Sequence, residues 1–277
     1  MTAFRTVMVV LDRGASCSAR VALAAKLARQ HDAHLIGLAA LERGAIDGDL
    51  YSTADELRDS VEKLHSDAQQ IAAEFERQVA ALGVASFERR IDELDATSAA
   101  IANARCADLA IVGQADRQQS DRSLPFDLPE HLVLQAGRPV LVVPYAGTFK
   151  TIAERPLVAW DGSGPAARAL QDAIPMLRNK VTVRIVAFNL ERLPRPHALP
   201  ARAEIARWLA RHGVSAEVKL EHCEIDVGNA LVSRAADWGA DLLVMGAYGH
   251  ARMREAMLGG VTRSILEQMT LPVLMAH

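Results

Sequence analysis

The 277 residues suffice for one large domain or two of ordinary size, and half of them are hydrophobic with under a quarter charged, which excludes a disordered chain. A formal charge of −3 gives no general pull toward nucleic acid or an anionic membrane, and no apolar run approaches the length that spans a bilayer. Three scattered cysteines, Cys17, Cys106 and Cys223, form neither a disulfide framework nor a CxxC metal site; with no secretory leader evident, the reducing cytoplasm is the expected compartment.

From the N-terminus, Thr6 to Asp12 reads as an apolar strand ending in aspartate, followed by a small-residue turn and an alanine-rich helix. A second strand follows at Leu35 to Glu42. The segment from about Thr53 to Leu82 then has the period of a long polar helix, with Leu57, Val61, Leu64, Ile71 and Phe75 as its apolar positions. Two further apolar strands run from Cys106 to Gly113 and from Arg138 to Val143, and Tyr145 to Arg155 is a polar connector. Beyond it the pattern begins again. Pro156 to Asp161 repeats the first strand and its aspartate, Arg184 to Glu191 the second, Gly239 to Gly246 the strand ending in glycine, and Leu271 to Ala276 the last. Each copy reads β-α-β-α-β-α-β-α-β, and strands that are continuous apolar runs imply a parallel sheet with helices on both faces. The expected fold is α/β: two tandem doubly wound domains, at residues 1–147 and 154–277.

Ligands of open α/β sheets bind at the carboxyl ends of strands where the strand order reverses. In the second copy that place holds Asp161 and the turn Gly246-Ala-Tyr-Gly249. Ten residues after Gly249 comes Gly259-Gly260-Val261-Thr262 at a helix start. This G-x2-G-x9-G spacing lets backbone N–H groups converge on an anion, and it is not the P-loop, which the chain lacks. Asp161 would bind a ribose hydroxyl, a base or a magnesium-bound water, or else cap the following helix. Thr262 would donate to a phosphate or cap the last helix. His250, Arg252 and Arg254, in the loop between the glycines, would add positive charge or lie in solvent. In the first copy Asp116 stands opposite Gly249, and Phe126 to Pro129 stand opposite Gly259 to Thr262, so one site per chain is expected, in the second half.

Other motifs carry weaker readings. Gly162 to Ala167 fits the dinucleotide pattern G-x-G-x-x-[GA], but Asp161 would oppose a pyrophosphate there and Pro165 suits an ordinary first helical turn. His31 and His34 lie beside a helix end, as a cap or in solvent rather than as metal ligands. His222, Cys223 and Glu224, contiguous on an expected strand, alternate faces and cannot share a metal. Cys17, near a helix start, is either a thiol of lowered pKa or a small packed residue. The proline-punctuated stretch Arg192 to Pro200 reads as a connector.

Val158-Ala-Trp-Asp161-Gly-Ser, Ala240-Asp-Leu-Leu-Val-Met-Gly246, the spacing Gly246-x2-Gly249-x9-Gly259 and the closing Leu271-Pro-Val-Leu together resemble the universal stress protein family, over essentially the whole chain. The resemblance implies five-stranded parallel sheets ordered 3-2-1-4-5 and ATP, with or without magnesium, at the glycine loop. It places Ala159, Trp160 and Asp161 under the adenosine and Ala187 against the base. Gly246, Gly249, Gly259, Gly260, Val261 and Thr262 would surround ribose and phosphates. It further implies a stress-response role, an intramolecular pseudo-dimer through the last strands, and homodimers; no catalytic residue is implied beyond slow ATP hydrolysis. Two positions depart from the family pattern: Gly260 stands where ATP-binding members commonly carry Ser or Thr, and Trp160 is large for a cleft wall. The alternatives are a nucleotide-free interaction scaffold of the same fold and a dinucleotide-dependent oxidoreductase.

Overall fold

In the computed structural model, residues 3–41, 54–115, 125–178, 182–189, 202–249 and 260–277 are described. They form two compact units that divide between Arg138 and Pro139.

The N-terminal unit begins with β1 (Thr6–Val10), α1 (Cys17–His31) and β2 (His34–Ala40), followed by α2 (Ala54–Ala81) and β3 (Phe87–Asp92). It ends with α3 (Ala96–Ala104), β4 (Leu109–Gly113) and α4 (Leu128–Gln135). The strands pair in parallel as β3-β2-β1-β4. β1 and β4 are apolar and almost wholly buried, whereas β3 at the edge is mostly charged, with half-buried and exposed positions and none fully buried. The long helix α2 forms over nearly the span its periodicity predicts, but it is packed along only part of its length. Ala68, Ala72, Phe75 and Val79 are buried, and the first turns are exposed, with Leu57 at 38%.

The C-terminal unit starts with β5 (Val140–Val143), β6 (Pro156–Ala159), α5 (Gly164–Leu177), β7 (Val183–Phe188) and α6 (Arg202–Arg211). Then come β8 (Ala216–Glu221), α7 (Val227–Trp238), β9 (Leu242–Gly246), α8 (Gly260–Gln268) and β10 (Val273–Ala276). Parallel pairing runs β8-β7-β6-β9-β10. β5, read from the sequence as the last strand of the first copy, packs in this unit because it pairs antiparallel with β10, Val142 opposite Val273. β8 ends at Glu221, so His222, Cys223 and Glu224 follow the strand rather than lie on it, a correction to the expected element. The Asn189 side chain takes over there: its amide donates to the Cys223 carbonyl at 2.9 Å, and its oxygen accepts the Cys223 N–H at 3.0 Å.

Candidate functional site

The sheet order turns at β6, which pairs with β7 on one side and β9 on the other, so a crevice opens beyond the carboxyl ends of β6 and β9. Two linked turn bonds set its floor. Asp161 Oδ1 accepts the Ser163 N–H at 2.9 Å, and Ser163 Oγ accepts the Ala166 N–H at 3.2 Å, capping α5. Asp161 therefore makes the turn bond expected of a capping residue, while the helix cap itself is Ser163.

The two glycines after β9 are needed for different reasons. A Cβ at Gly249 would lie 2.8 Å from Ser163 Oγ and 3.5 Å from Asp161 Oδ2, so only a bare backbone reaches this part of the crevice. A Cβ at Gly246 would strike the backbone of Pro165 and Ala166 in the first turn of α5. Gly246 thus lets the helix sit directly on β9. At the far side, the Tyr248 N–H donates to Thr262 Oγ1 at 3.4 Å, tying the first turn of α8 to the glycine turn, and Thr262 is 4% exposed.

These elements enclose a cleft of about 280 Å³. Ala159, Trp160, Asp161, Gly246 and Gly249 line it from the strand ends, and Gly260, Val261 and Thr262 line it from α8. Ala187 does not. It is 1% exposed, and its neighbours Val186 and Phe188 face the cleft instead, because successive strand residues point to opposite faces. His250, Gly259, Arg252, Arg254 and, in the first copy, Asp116 lie outside the described residues, as does the stretch from Arg192 to Pro200. Sequence reasoning missed Phe188, Tyr248 and Asp226. Strand alternation pointed to Phe188. For Asp226 the signal was an aspartate directly before a helical pattern, since a doubly wound fold brings every such cap to the carboxyl edge of the sheet. Asp226 caps α7 by accepting the Asn229 N–H at 3.1 Å. Trp160 Nε1 is buried with no hydrogen-bond partner among the described residues.

At the equivalent place in the N-terminal unit the strand-end aspartate has a buried partner. Asp12 Oδ1 accepts the Gly14 N–H at 2.7 Å, the same turn as at Asp161. Its other oxygen pairs with the guanidinium of Arg20, whose Nε donates to the Val10 carbonyl at 3.1 Å. Arg20 is 1% exposed and lies against Gly113 at the end of β4. It stands eight residues after Asp12, where Ala169 stands eight after Asp161. Cys17, beside this pair, has its pKa raised: burial outweighs the attraction of Arg20, and the Asp12 charge adds to the rise. Of the two readings of Cys17, the raised pKa accords with the packed residue and not with the thiol of lowered pKa.

Neither histidine motif nor dinucleotide turn gains support from its surroundings. His34 Nδ1 pairs with Ser86 Oγ at 2.7 Å and His31 lies against Phe4, with ring centroids 4.9 Å apart. No cluster of three or more metal-ligating side chains occurs among the described residues. The Ala166 N–H, at the point where a pyrophosphate would sit, is already taken by Ser163. No helix among the described residues is long and apolar enough to cross a membrane.

Comparison with known proteins gives the same outline. A universal stress protein of Synechocystis is 32% identical over 148 residues, covering 52% of this chain; the matched segment spans about half of that relative, 49% of its length. The crystal structure of a universal stress protein from Archaeoglobus fulgidus matches 98% of this chain and 97% of its own, with a TM-score of 0.72 at 16% identity. A second solved structure, of a putative universal stress protein from Pseudomonas aeruginosa, covers 99% of this chain and 94% of its own with a TM-score of 0.54 at 18% identity. The model of the universal stress protein family matches twice, at residues 3–144 and 154–277, and the chain belongs to that family as a tandem, two-copy member.

Proposed function

We propose that the C-terminal unit binds an adenine nucleotide, ATP or a close relative, and that the protein acts in stress response as a nucleotide-dependent switch with at most slow hydrolysis. The observation that carries this reading is the convergence of Asp161, the Gly246–Gly249 turn and the start of α8 on one cleft at the reversal of strand order. Mostly apolar walls suit a planar base, and the polar groups among the described lining residues are few. The N-terminal unit, its crevice held by Arg20 and Asp12, is a structural companion in this reading.

Calorimetric titration of ligand-free protein with AMP and with ATP plus magnesium tests it. Binding near one nucleotide per chain is expected, abolished by Gly249→Asp, whose side chain would displace Ser163 and set a second carboxylate beside Asp161. Absence of heat with either nucleotide at millimolar concentration would favour the nucleotide-free scaffold.

A further inference from the structure

The turn after β9 holds an aromatic residue in a backbone conformation that favours glycine. Tyr248 has φ +59°, in the left-handed region that bulky side chains rarely adopt, and it lines the cleft. Such a conformation persists only where the surroundings hold it. Contacts from α8 and from the end of β10 hold this one. The Tyr248 N–H donates to Thr262 Oγ1 at 3.4 Å, and the Ala247 N–H donates to the Ala276 carbonyl at 2.9 Å, extending the β9–β10 pairing by one bond. His277, directly after β10, adds a side chain that is not among those lining the cleft. Its Nδ1 lies 3.0 Å from the Ala247 carbonyl, and its ring stands edge-on to Tyr248 with centroids 6.2 Å apart at 71°.

A carbonyl oxygen only accepts, so Nδ1 carries the proton of that bond. Ala247 is 0% exposed, and a hydrogen bond to a buried carbonyl is costly to lose. The first copy has neither partner: Ala115 stands at the place of Tyr248, and Pro144, with no side-chain donor, at that of His277. The tyrosine and its histidine occur together, in the copy with the glycine spacing. Resting on the adenine-nucleotide reading above, we infer that His277 is a positioning residue of the cleft. Its Nδ1–H fixes the Ala247 carbonyl, and through it the left-handed turn that presents Tyr248 to the ligand.

Two measurements on the full chain test this, the first without ligand. By NMR, the neutral ring of His277 should be the Nδ1–H tautomer. Tyr248 should show the strong contact between its own N–H and Hα that marks a left-handed residue. That contact should weaken in His277→Ala and return in His277→Asn, whose amide nitrogen, attached to Cγ as Nδ1 is, can donate to the same carbonyl. An Nε2–H tautomer, or a Tyr248 backbone unmoved in His277→Ala, would overturn the inference whether or not a nucleotide binds. Calorimetry with AMP then reads the consequence. Affinity about three- to tenfold weaker is expected in His277→Ala, the scale of one hydrogen bond, and largely recovered in His277→Asn. In a Tyr248→Ala background, His277→Ala should weaken binding no further; an equal loss in both backgrounds would show that His277 does not act through Tyr248. If the parent protein binds neither AMP nor ATP with magnesium, the nucleotide reading falls, while the tautomer and the turn are still decided by NMR.

Discussion

Arg20 shows how a buried charge is held at the end of a strand. Its guanidinium is removed from water and compensated by Asp12 and the Val10 carbonyl, where the second copy carries Ala169. Removing one partner of such a pair strands the other charge in a poorly solvated place, which costs about 3–5 kcal/mol, far more than the pair itself contributes. Arg20→Ala is therefore expected to lower stability in urea unfolding by about that amount. Adding Asp12→Ala should recover part of the loss, because no orphaned carboxylate then remains. If the double variant were less stable by the sum of the two single losses, Arg20 and Asp12 would be independent. None of this was legible beforehand, since arginine on a helix ordinarily reads as a solvated residue. Asp161 and the glycines were legible because their spacing has few other physical causes.

Helices and strands differ in how much of their fate their own residues announce. Strands covered on both faces must be apolar throughout, so β1, β4, β6, β9 and β10 stand out as short apolar runs. The period of α2 revealed a helix and its apolar stripe, but not how far the rest of the fold reaches along it. Burial begins in earnest at Ala68, and Leu57 is left partly in solvent. Likewise the sequence pointed to the second strand as a cleft wall, but register decided that Val186 and Phe188, not Ala187, face inward. Caps are local and their chemistry can be tested by pH. Asp95 precedes α3 and accepts from Ser98, whose side-chain hydroxyl and backbone N–H hold the carboxyl pKa below its ordinary 3.8. A depressed folded-state pKa stabilises the fold above the ordinary value, and that stabilisation disappears as pH falls through the folded value. Asp95→Ala should thus cost about 1 kcal/mol at neutral pH. The gap from the parent protein should narrow as the pH is taken below 3.8, as followed by urea unfolding across that range. A gap independent of pH would mean that the cap's charge contributes nothing.

At the scale of the molecule, sequence similarity and compactness partition the chain differently. The family pattern places Val140–Val143 at the end of the first copy, whereas packing places that strand in the C-terminal unit through its pairing with β10. A fragment beginning at Pro139 keeps β10 paired and is accordingly expected to self-associate less than one that lacks β5. One beginning at Glu154 leaves the buried, apolar edge of β10 without its neighbour and should self-associate. Sedimentation of the two fragments distinguishes the outcomes, and equal behaviour would show that β5 is dispensable to the unit. The same pairing also has a consequence in time. Val142 and Val273 are about 130 residues apart along the chain. A ribosome adding ~5–20 residues per second takes on the order of ten seconds to cover that interval. Throughout it β5 waits with an unpaired, wholly apolar edge, a period of vulnerability set by the order of synthesis rather than by the stability of the finished protein.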